Sequence, residues 1–135
     1  MGFRIREEMS GHHEFRNDFG STGRHPFSMR VEWGPERLRD WLNPSKDAFL
    51  WQELSGTVLV GGLCGWVPCE GTLHLQYFAK RQIMYSFDFT VDNVVYRYVG
   101  YKKNIHLHNL LFSHTTCFGT IVELATGKLV STVLC

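Results

Sequence analysis

Gln82-Ile83-Met84-Tyr85-Ser86-Phe87-Asp88-Phe89-Thr90-Val91 decides the fold. Ile83, Tyr85, Phe87 and Phe89 alternate with Met84, Ser86, Asp88 and Thr90. Successive side chains of a strand point to opposite faces, so a period of two with one apolar set marks a half-buried β-strand. Asp92-Asn93 follows, and both residue types tolerate the positive φ of a tight hairpin turn; Val94 to Tyr101 then supplies the returning strand.

Working outward, the same rhythm recurs. Phe118 to Leu124 and Lys128 to Leu134 flank Ala125-Thr126-Gly127, with Gly127 suited to the left-handed position of a short hairpin. Toward the N-terminus, Thr72 to Phe78 places Leu73, Leu75 and Tyr77 on one face, and Ala79-Lys80-Arg81 joins it to the next strand. Gly56 to Val60 ends at Gly61-Gly62, and Pro26 to Trp33 aligns Phe27, Met29, Val31 and Trp33. Arg16 to Arg24 reads as a long turn, preceded by Phe3 to Glu8 and Gly11 to Phe15 as two short strands or one bent one. The only helix expected runs from Gly34 to Pro44: Pro35 suits the first turn, Glu36 the positive end of the dipole, and Leu38, Trp41 and Leu42 form one stripe. Seven to nine strands joined by hairpins give an all-β, antiparallel barrel with one short helix, a single domain over residues 1–135.

Composition agrees and removes several function classes. Hydrophobic residues make up 44% and charged residues 20% of 135, a globular balance. A net charge of +1 gives no electrostatic case for nucleic acid. No apolar run approaches the roughly 18 residues of a membrane span, and the alternating start from Met1 to Glu8 contains no secretory signal. A cytoplasmic setting, with Cys64, Cys69, Cys117 and Cys135 as free thiols, is therefore expected.

Few residues carry obvious chemistry. His106 and His108 share a strand face but lack further ligands, and Cys64 and Cys69 flank Gly65-Trp66-Val67-Pro68, read as a loop with Trp66 at its tip. His114 and Cys117 bring an imidazole and a thiol close in sequence, though a strand would turn them to opposite faces. Glu7, Glu14, Asp88 and Glu123 are scattered carboxylates, and no nucleotide-binding glycine pattern occurs. No catalytic residue, cofactor or metal is assigned. The remaining signal is the aromatic load on alternating faces: Phe27, Trp33, Tyr77, Tyr85, Phe87, Phe89, Tyr96, Tyr98, Phe112 and Phe118. An eight-stranded barrel fills its interior with such side chains or holds one small ligand among them.

Several strings carry a resemblance. The segment Glu7-Glu8-Met9-Ser10-Gly11-His12-His13-Glu14-Phe15, with Phe3 ahead of it, is similar to the opening of an accessory β-domain found beside large bacterial flavin oxidoreductases of the glucose–methanol–choline, cholesterol-oxidase-like type. Ser55-Gly56-Thr57-Val58, Gly71-Thr72-Leu73-His74-Leu75, Met84-Tyr85-Ser86-Phe87, Tyr98-Val99-Gly100-Tyr101-Lys102 and Thr115-Thr116 continue it in order. The resemblance implies a lipocalin-like barrel of unassigned role and apolar, lipid-like chemistry nearby; it supplies no active-site residue.

The leading expectation is a non-enzymatic barrel for a hydrophobic, lipid- or sterol-like small molecule, with Tyr85, Tyr96 and His114 as the polar lining. Tyr85→Phe is then expected to weaken binding without lowering the melting temperature. Two alternatives accompany it. One is an accessory module that docks onto an oxidoreductase or self-associates through the C-terminal strand, whose apolar end at Cys135 suggests completion by neighbouring sequence or another subunit. The other is an enzyme using a pocket carboxylate or histidine.

Overall fold

The computed structural model describes residues 4–34, 51–76, 82–102 and 117–135. Eight strands occupy most of them: β1 (Ile5–Phe15), β2 (Arg24–Trp33), β3 (Trp51–Val60), β4 (Cys64–Gln76), β5 (Gln82–Val91), β6 (Val94–Lys102), β7 (Cys117–Glu123) and β8 (Leu129–Leu134). Each pairs antiparallel with its sequence neighbour, and β8 returns to β1, closing the sheet into a barrel. Among the described residues there is no helix; the segment expected to form one lies outside them except for Gly34.

The register follows the apolar rhythm. Phe89↔Tyr96, Phe87↔Tyr98 and Tyr85↔Gly100 pair inward across β5 and β6, while Asp88↔Arg97 face outward. Asp92 and Asn93 adopt φ of 50° and 68°, the left-handed pair a two-residue hairpin needs, and Gly127 sits at φ 70°. Residues 3–8 and 11–15, read as two short strands or one bent one, join as the continuous β1, because β2 pairs it from Ile5 to Glu14 without a break. The loop expected between Cys64 and Cys69 is instead strand: Val67 and Pro68 pair with Val58 and Thr57 of β3. Trp66 lies on the outer wall under the Arg30 guanidinium, 4.3 Å from the ring centroid. Phe118, placed by sequence with the aromatic faces, is 54% exposed, since Cys117 and Gly119 take the inward positions of β7.

β8 is bonded on both sides, to β7 from Leu129 to Leu134 and to β1 from Ser131 to Leu134, so it offers no free edge of the kind expected for self-association. The ladder that closes the barrel covers only His12 to Phe15 of β1; Ile5 to Gly11 have no ladder partner on that side among the described residues.

The outer wall carries charge, with Arg6 against Glu32, Arg30 against Glu8 and Arg97 against Asp88. An apolar interior behind a charged wall is the inverse of a lipid-embedded barrel. No helix among the described residues is long and apolar enough to cross a membrane.

The two ends of the barrel differ. At one, the strands are joined by residues 16–23, 61–63, 92–93 and 124–128. At the other lie the strand ends Ile5, Trp33, Trp51, Gln76, Gln82, Lys102 and Cys117. These are called the turn end and the loop end below. The turn-end half is filled by an aromatic column: Phe89 stacks on Tyr96 with centroids 5.6 Å apart, and Tyr98 lies between Phe87 (4.8 Å) and Phe27 (5.5 Å). Gly100 and Gly119 make room for it, because a Cβ at either would overlap the Tyr98 ring.

Candidate functional site

Toward the loop end the interior changes character. Ile5, Glu7, Met9, Gly11, His13 and Phe15 share the inward face of β1, so the strand's alternation carries a carboxylate into the barrel. Glu7 Oε1 accepts a hydrogen bond from Trp33 Nε1 at 2.9 Å, and Oε2 accepts one from the Tyr85 hydroxyl at 2.8 Å. Lys102 Nζ stands 3.8 Å from the same Oε2, the side chains of Lys102 and Glu7 being only 9% and 13% exposed. Four strands thus converge on one carboxylate: β1, β2, β5 and β6.

The electrostatics follow from this placement. Burial, and then the Glu7 carboxylate beside it, push the Tyr85 phenol well above its ordinary value of 10. The phenol keeps its proton and acts as a fixed donor. A carboxylate has about four lone-pair positions and an ammonium three protons. After the contacts above, both retain hydrogen-bonding capacity toward a polar group placed between them. A buried ion pair is a weak source of stability, since well-packed apolar residues of similar volume often do as well or better. Here the pair stands among largely apolar side chains of the loop-end half.

One layer deeper, the Tyr98 hydroxyl lies 3.1 Å from Cys117 Sγ. Glycines at 100 and 119 allow the ring to lie flat along β6 and β7 and bring its hydroxyl to that sulfur.

The turn end holds a second buried polar group of different kind. His13 Nε2 lies 2.7 Å from the Gly61 carbonyl oxygen, which can only accept, so this nitrogen carries the proton. Nδ1 lies 2.6 Å from Ser131 Oγ, whose hydroxyl also reaches the Glu14 carbonyl at 2.9 Å. Burial lowers the His13 pKa, the Gly61 carbonyl partly offsets this, and His25 and His12 lower it further. The ring is enclosed by Phe15 and His25, with centroids 4.8 and 5.6 Å away, and bolts β1 to β8 and to the β3–β4 turn. This is a structural histidine.

Of the three residues expected to line a pocket, Tyr85 lies at the Glu7 cluster. Tyr96 does not; it is buried at the turn end against Phe89, with its phenol pKa raised by burial and then by Glu123 and Asp92. His114 lies outside the described residues, as do Tyr77, His106, His108 and Phe112. The sequence reading missed Glu7, Lys102 and Trp33 as site members. A legible signal existed for Glu7, which stands between Ile5 and Met9 on an apolar face.

Glu14, Asp88 and Glu123 stay away from the interior cluster: Glu14 pairs with Arg16 and Arg24, Asp88 with Arg97, and Glu123 meets Thr126. Two open depressions on the outer wall are lined by Glu53, Glu70 and Asp88 with Leu54 and Gly71, and by Glu8, Arg30 and Glu32 with Glu7, Val31 and Gly56. Among the described residues no three His, Cys, Asp or Glu side chains are grouped to hold a metal. All four cysteines are free thiols.

No protein-family model, curated protein or solved structure matches the chain, so nothing among known proteins ties it to the flavin oxidoreductases or to the lipocalins.

Proposed function

We propose that the barrel is a binding protein for a small, largely apolar molecule with one polar group, lipid- or sterol-like in character. The molecule would enter the loop-end half and set its polar group on Glu7, Tyr85 and Lys102. The observation that carries this reading is the inward carboxylate of Glu7, met by Trp33, Tyr85 and Lys102 inside a largely apolar tube. Eight strands give an interior wide enough for side chains to fill or for one small guest. The aromatic column occupies the turn-end half, which directs a guest to the other half. The cluster is built as a binding floor: its donors are fixed, and Tyr85 resists ionisation. Free thiols fit a reducing, cytoplasmic setting for such a carrier.

Native mass spectrometry of protein purified from its own source tests the proposal. A retained mass of a few hundred daltons supports it. A panel of fluorescent fatty acids and sterols should then show binding that Lys102→Met or Glu7→Gln weakens by about tenfold, the worth of one charged hydrogen bond. An empty barrel that binds none of the panel would overturn the reading.

A further inference from the structure

Cys117 and Cys135 face each other across the end of the β7–β8 ladder. Cys117 N donates to the Cys135 carbonyl at 2.8 Å, and Cys135 N donates to the Cys117 carbonyl at 2.9 Å. Such a doubly bonded antiparallel pair holds its Cα atoms about 5.5 Å apart, within the ~4.4–6.8 Å that a disulfide spans. Residues directly opposite share a face, and both cysteines belong to the interior, Cys117 fully buried and Cys135 half-buried. Cys135 Sγ lies 3.7 Å from the Cys117 carbonyl, folded back toward its partner.

We propose that Cys117 and Cys135 are a hydroperoxide-reactive dithiol that closes to a cross-strand disulfide. The two sulfurs have different roles. A hydrogen bond from the Cys135 thiol, another from the Tyr98 hydroxyl and the charge of Lys102 favour the Cys117 thiolate, and outweigh burial and the Glu7 charge. The Cys135 thiol is raised by that same hydrogen bond and by burial, so it keeps its proton. Cys64 and Cys69 are both raised by burial, Cys69 to about 12.

In the first step the Cys117 sulfur attacks the terminal oxygen of a hydroperoxide. An S–O bond forms, the O–O bond breaks, and the departing oxygen takes the thiol's proton to leave as alcohol or water. Cys117 is then a sulfenic acid. In the second step the Cys135 sulfur attacks the Cys117 sulfur; the S–S bond forms, the S–O bond breaks, and hydroxide leaves with the Cys135 proton as water. The dithiol has lost two electrons to the hydroperoxide, and a small-molecule dithiol restores it by exchange. The pair adjoins the seam where β1 has no ladder partner from Ile5 to Gly11 among the described residues. Gly11 packs directly against the Cys135 backbone, where any side chain would overlap Leu134 and Cys135.

The test is peptide mapping under non-reducing conditions after the fully reduced native protein meets stoichiometric hydrogen peroxide. The expected product is a Cys117–Cys135 linked peptide, about 2 Da lighter than the two thiols and reopened by dithiothreitol. In Cys135→Ser, dimedone should trap a sulfenic acid at Cys117. In Cys117→Ser, burial still holds the Cys135 thiol up, and dimedone labelling there should be slower than at Cys117 in Cys135→Ser. Absence of the link, a link between another pair, or equal labelling of the two single variants would overturn the proposal. The wild-type mapping needs no variant to fold.

Discussion

At the scale of single residues, the Glu7 contacts correct one expectation drawn from sequence. Tyr85→Phe was expected to spare stability, but the hydroxyl is bonded to a nearly buried carboxylate at 2.8 Å. Hydrogen bonds to charged groups contribute about 1.5–3 kcal/mol, so urea unfolding of Tyr85→Phe should show a loss of that order even without ligand. An unchanged midpoint would place Glu7 outside the barrel. Gly119 makes a separate prediction: Gly119→Val drives a branched side chain into the Tyr98 ring and should destabilise by about 1–3 kcal/mol, as overpacking does. His13 sets a pH dependence. Its folded pKa lies below the ordinary 6.5, so the unfolded chain binds the proton more readily; stability is full above pH 6.5 and falls as pH drops through the lowered folded value. Melting temperature should decline as pH falls below the ordinary histidine value, and His13→Gln should flatten that part of the profile. Residues of this kind are hard to read from sequence, because Glu7, Tyr85 and Lys102 are 78 and 17 positions apart along the chain and meet only once the sheet curls.

At the scale of elements, periodicity was a sufficient guide where one face is apolar and the other polar. β5 and β6 were legible for that reason, as were the turn at Asp92-Asn93 and the left-handed Gly127. β1 was harder: Glu7 and His13 interrupt its apolar face, and the strand is identified by ten consecutive partners on β2. β4 hid behind Gly65 and Pro68, which read as loop residues, while Pro68 pairs with Thr57 of β3 and Gly65 stands at the register shift between Val58 and Val60. The β5–β6 hairpin offers its own test. Asn93 sits at φ 68°, where glycine has no steric penalty, so Asn93→Gly should leave stability unchanged or raise it slightly, whereas a β-branched residue there should lower it by about 1 kcal/mol or more. Equal stability for Asn93→Gly and Asn93→Val would contradict the turn geometry.

At the scale of the whole molecule, two halves of one tube have separate tasks. The turn-end half is a packed aromatic column, and there Phe87→Ala should cost about 3–5 kcal/mol in chemical denaturation, as for any large core ring. The loop-end half gathers the buried ion pair and the facing thiols, where polar groups interrupt the apolar packing. That division was not legible from composition, which counts aromatics without saying at which level of the barrel each one stands.

The short ladder between β1 and β8 has a consequence for motion. Four residue pairs, reinforced at the turn end by His13, Ser131 and the Arg16 amide, close a cylinder whose other ladders mostly run for seven pairs or more. Local opening begins where the fewest bonds must break. Amide protons along this join should therefore exchange with deuterium sooner than those of β5 and β6, and the cylinder would part there as a zipper does, from the unfastened end, leaving the aromatic column in place.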